Sequence, residues 1–102
     1  MTDAEMDRII AKKVMGWHEH NGYWMDEHGQ IVLPVLCWHP GTDAAQAVQA
    51  LEAMRDKGFR WHAESVEDYV SVGIYGKLAN GKSEDKNFAH AVCMALVAAV
   101  TP

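Results

Sequence analysis

His18, His20, His28 and His39 fall within or beside the stretch from Trp17 to Trp38, with Glu19 and Cys37 among them. Imidazole, carboxylate and thiolate are the ligands zinc takes, and a turn-rich segment could bring three of them within the ~2.0–2.3 Å bonds zinc requires. The spacing matches neither a zinc finger nor an HExxH helix, so solvent-facing histidines in an aromatic hairpin are the competing expectation. Zinc is the one cofactor these residues could hold, and none is the default. Cys37 and His39 also suggest a thiol beside a base. No orienting group or oxyanion donor accompanies them, so no catalytic residue is assigned.

Four tryptophans, Trp17, Trp24, Trp38 and Trp61, stand in a chain of 102 residues. Large aromatics are good core material, and core is the first expectation for each. Where exposed, they anchor interfaces or stack on small ligands, which makes Trp24, Trp38, Tyr69 and Tyr75 the candidate binding residues. The basic stretch from Lys77 to Lys86 could meet an anion, although Glu84 and Asp85 interrupt it and a solvated loop is the default.

The totals narrow the classes. Nine basic against fourteen acidic residues give a net charge of −5, without the clustered cations that counterion release from nucleic acid needs. A hydrophobic fraction of 49% with 23% charged residues is that of a globular protein, and the length fits one domain over residues 1–102. The longest apolar run, near the C-terminus, is shorter than the roughly 20 residues a bilayer requires, and the N-terminus is acidic rather than signal-like. A cytoplasmic protein with no membrane partner is therefore expected. Two cysteines far apart, with no CxxC, predict reduced thiols with Cys93 buried.

The strongest helix signal lies between Trp38 and Gly58. Pro40 and Gly41 break what precedes, and Thr42 can cap the first turn with Asp43 at the positive dipole end. Ala47, Val48, Leu51 and Met54 form an apolar stripe, and Gly58 closes the helix. Residues 3 to 15 predict another helix, opened by the capping-box pair Thr2 and Glu5 and ended at Gly16, with Trp17 folding back on its last turn. Tyr23 to Met25, a turn at residues 26 to 29, and Gln30 to Leu33 predict a hairpin that Pro34 ends or places at an edge. Alternation predicts strands over residues 59 to 64 and 69 to 75, with Phe59, Trp61, Ala63, Val70, Val72 and Ile74 inward and a turn between. Residues 76 to 86 predict a mobile loop, and Ser83 or Asp85 a cap for a final apolar helix. Together these give an α+β fold: three helices and a small mainly antiparallel sheet in a three-layer α/β/α sandwich, with Ile9, Ile10, Leu51, Val92 and Leu96 packed on the strands.

Three motifs, AKKVMGW at residues 11 to 17, Thr42-Asp43 opening an alanine-rich helix after an aromatic-x-Pro step, and AVCMA at residues 91 to 95, together resemble the phage ABA sandwich domain family. The resemblance spans nearly the whole chain, although Gly41 stands where members carry Ser and Val48 where they often carry Trp. It implies helices on both faces of a small sheet and a phage or prophage origin, and it carries no catalytic residue across. The function expected is that of a non-enzymatic accessory protein binding a host or phage protein. A metal module or metal-dependent enzyme built on the histidine segment is the alternative, and a protein sequestering a small molecule is another. The width of the last helix, with Met94 and Val97 away from the Val92 to Leu96 line, also predicts a homodimer.

Overall fold

The computed structural model describes residues 1–77 and 79–101. Helix α1 (Asp3–Ile9) starts with the expected reciprocal box, Thr2 and Glu5 each accepting from the other's backbone amide. It runs on into a π-helical segment, Ile10–Val14. Gly16, at φ 75°, reverses the chain so that the Trp17 amide donates to the Ala11 carbonyl at 2.9 Å, and Trp17 is buried as expected.

Strands β1 (His18–His20), β2 (Tyr23–Met25) and β3 (Ile31–Pro34) form one antiparallel sheet in that order. The hairpin from β2 to β3 follows the expectation, with Pro34 at the end of an edge strand. Its turn is organised by Asp26, whose carboxylate accepts from the amides of His28 and Gln30, both at 2.9 Å. The amide of Gln30 above all holds the Asp26 carboxyl below its ordinary range. Strand β1 adds a third strand to the expected hairpin. Asn21 and Gly22, both at positive φ, make the two-residue turn that returns it to β2.

A 3-10 turn (Val35–Cys37) leads to α2 (Ala44–Asp56). Its cap is Asp43, accepting from the Gln46 amide at 3.1 Å, not Thr42, whose hydroxyl turns back to His39. Gln46 holds the approach in place by donating to the Cys37 carbonyl at 2.8 Å and accepting from the His39 amide at 2.7 Å. At the other end of α2, Lys57 Nζ donates to the carbonyls of Lys13 and Val14, at 3.1 and 2.5 Å, capping the π-helical segment.

The second antiparallel sheet contains β4 (Arg60–Val66), β5 (Tyr69–Tyr75) and β6 (Asn80–Asp85), again in chain order. Strand β6 corrects the expected mobile loop; Leu78 of that stretch lies outside the described residues. The strand is polar, yet it pairs with β5 along its whole length and lies against α3 (Phe88–Val100). Close approach explains its composition. At Gly81 an added Cβ would press into the Ala95 carbonyl oxygen and lie 2.7 Å from Ala99 N, so only glycine lets the helix settle there. Ser83 and Asp85 do not cap the helix; Asn87 does, accepting from the His90 amide at 3.0 Å, while Ser83 donates to the Ala91 carbonyl.

Helix α3 lies between this sheet and the first two helices. Ile10, Leu51, Val92, Leu96 and Val72 are fully buried, while Ile9, Phe59 and Val70 are partly so. Trp61 departs from expectation at 39% exposed, because α3 covers β5 and β6 and leaves the β4 edge open. Within one chain Val97 is buried and Met94 half-buried. No helix among the described residues is long and apolar enough to cross a membrane.

His90 ties three elements together: its Nδ1 meets Asp85 at 2.8 Å and its Nε2 meets Asp3 at 3.3 Å. The Asp85 hydrogen bond is the main cause of an imidazole pKa raised above 6.5. Asp85 is lowered, first by the Asn87 amide and then by His90. The imidazolium contribution is therefore full below about 6.5 and is lost as pH rises through the raised folded value, whereas the Asp85 contribution is lost only in strong acid. The melting temperature should fall as pH rises from about 6 into the alkaline range. In His90→Gln, calorimetry should find that slope flattened.

Candidate binding cleft

The last turn of α1 and the 3-10 turn enclose a cleft of about 190 Å³, walled by Asp7, Trp24, Leu36, Trp38 and His39. Each wall residue is placed by a local device. Trp38 donates from Nε1 to the Asp7 carbonyl at 3.0 Å and packs edge-on against Trp17 with centroids 4.7 Å apart. Trp24 sits on the central strand of the first sheet, opposite Leu33, and is 1% exposed. Arg8, also lining the cleft, is held by Glu19 from β1.

Two wall atoms are sealed from water without a hydrogen-bond partner, Trp24 Nε1 and Asp7 Oδ1. One is a donor and the other an acceptor, and each unmet buried group costs about 1–3 kcal/mol. Burial is the main reason the Asp7 carboxyl is raised above its ordinary value, against the opposing effect of the nearby Gly41 amide. Leu36, in the cleft lining, is 93% exposed, and elsewhere on the first sheet Tyr23, Ile31 and Val32 of β2 and β3 are exposed as well. Ile31 and Val32 lie on the free edge of the sheet, where unpaired backbone groups can also receive a partner.

The structure brings Trp24 and Trp38 into one wall, but as buried residues rather than exposed platforms. Tyr69 and Tyr75 stand elsewhere, on β5 in the other sheet. The tyrosine ring of Tyr75 lies over Gly73, where a Cβ would come 2.6 Å from its Cζ. The histidines are not gathered. His18 and His20 lie on β1, His28 in the Asp26 turn beside Glu27, and His39 against Thr42. Among the described residues no three His, Cys, Asp or Glu side chains are grouped to hold a metal ion. Cys37 is free and exposed, and Cys93 is free and buried, its thiol pushed up to about 12 by desolvation.

Sequence reasoning missed Asp7 and Leu36. Asp7 reads as an ordinary first-helix acid, and its partner Trp38 is 31 positions away, so no local pattern joins them. Leu36 carries an apolar signal that normally means core.

The family model described as Phage ABA sandwich domain matches residues 8–97. No curated protein matches the chain. A crystal structure of a phage protein from Bacillus cereus ATCC 14579 shares the fold at a TM-score of 0.72 and 14% identity, covering 98% of this chain and 93% of that one.

Proposed function

We propose, from the premise that the chain belongs to the phage ABA sandwich domain family, that it is a non-enzymatic binding protein whose partner is another protein docking on the cleft and its apolar rim. The observation that carries this is Leu36, 93% exposed among the residues that line the cleft. An exposed leucine at the mouth of an aromatic-walled cleft makes a surface that gains by being covered.

The test compares capture from phage-infected host cells by the wild type, Leu36→Ala and Leu36→Asp. One protein should be retained by the wild type, held at least tenfold more weakly by Leu36→Ala, a loss of about 1.4 kcal/mol, and lost with Leu36→Asp. Because Leu36 is 93% exposed, both variants should leave the melting temperature within a few degrees. Equal retention by the wild type and Leu36→Asp would count against this surface.

A further inference from the structure

Around the C-terminal end of α2 the chain gathers cations that no carboxylate answers. Two adjoining depressions of about 360 and 570 Å³ share Gly58 and Phe59; the first is flanked by Lys57 and Lys77, the second by Arg55, Arg60 and Trp61. Four of the nine basic residues of a net-acidic chain thus line one surface, and no acidic residue lines it. Among the described residues Arg55, Arg60 and Lys77 form no ion pair. Lys57 is fixed by neutral carbonyls, which orient its charge without cancelling it.

The walls are aromatic. Phe59, half-buried, lies directly over Gly76, where a Cβ would fall 2.6 Å from its Cδ1, so the ring is set against bare backbone. Trp61, the tryptophan that the core leaves open, lies on the β4 edge and lines the same depression as Arg55 and Arg60. Guanidinium and ammonium groups that line one surface without acids recognise phosphate or carboxylate, and an exposed indole on that surface offers a face on which a planar ring stacks. Both volumes fall in the range of small-ligand sites, roughly 300–1,000 Å³.

We propose that this groove binds a nucleotide, with its phosphates held by Arg55, Arg60 and Lys77 and its base stacked on Trp61. A polymer of nucleotides fits less well, because the cationic track is short. Farther along the sheet, four residue pairs beyond Arg60, Glu64 of β4 and Glu84 of β6 flank Ser71 of β5 and would meet a continuing phosphate backbone with negative charge. The site shares no residue with the protein-docking cleft, so either can fail without the other.

Calorimetric titration with ATP, pyrophosphate, adenosine and a short single-stranded oligonucleotide tests the proposal on the full chain. ATP should bind saturably below about 1 mM and weaken as salt is raised. Pyrophosphate and adenosine should each bind at least about tenfold more weakly than ATP, since each lacks one half of the recognition. Arg60→Glu and Trp61→Ala, checked for unchanged circular dichroism, should each weaken ATP by about tenfold or more. The absence of saturable ATP binding, equal binding of pyrophosphate and ATP, unchanged affinity in a folded Arg60→Glu variant, or tighter binding of the oligonucleotide than of ATP would each overturn it.

Discussion

Gly81→Ala is expected to be the most damaging single-methyl change in the molecule. The new Cβ would meet backbone, the Ala95 carbonyl and Ala99 N of α3, and neither can swing aside as a side chain could. Overpacking typically costs about 1–3 kcal/mol, and an obstacle made of main chain belongs at the upper end of that range or beyond it. Against a total stability of roughly 5–15 kcal/mol, such a loss should lower the urea midpoint markedly and reduce soluble yield. An unchanged midpoint would mean that α3 does not sit on β6 as closely as described.

Trp38→Ala should cost about 3–5 kcal/mol, the usual range for deleting a buried large aromatic. Three losses coincide at this residue: a side chain only 3% exposed, its edge contact with Trp17, and the 3.0 Å bond that joins it to the Asp7 carbonyl across α1. Trp38→Phe keeps much of the volume and removes the indole N–H, so it should cost clearly less. Urea unfolding of the two variants separates packing from hydrogen bonding, and equal midpoints for wild type and Trp38→Ala would contradict the placement of this side chain in the core.

The helices were legible because their signals are local. Thr2 and Glu5 form their box, Gly16 takes a positive φ where the first helix must end, and α2 follows its apolar stripe. The caps at Asp43 and Asn87 each lie where two neighbouring polar residues compete, and which one wins depends on how the incoming loop turns. Asn21-Gly22 marks the turn after β1, since both residues of a tight hairpin turn need positive φ, but the surrounding turn formers mask the signal. Strand β6 had no such mark. Asn80, Gly81, Lys82, Ser83, Glu84 and Asp85 are poor strand formers, and only pairing with β5 and the approach of α3 make them a strand. The cleft was illegible for the same reason, being assembled from residues that meet only once α1, the first sheet and the 3-10 turn have come together.

Each strand pairs only with its neighbour in the chain, β1 with β2 with β3 and β4 with β5 with β6. Both sheets can therefore zip through short loops, whose closure entropy is small, without waiting for any distant segment. The contact that spans the chain is between its ends, where α1 meets α3 and Asp3 reaches His90. Docking of the first helix on the last closes the longest stretch of chain in the fold and is expected to follow both sheets. Until α3 is in place, the buried face of Ile10, Ala11 and Val14, in the π-helical segment that continues α1, lacks part of its cover, and a chain in that state is open to aggregation.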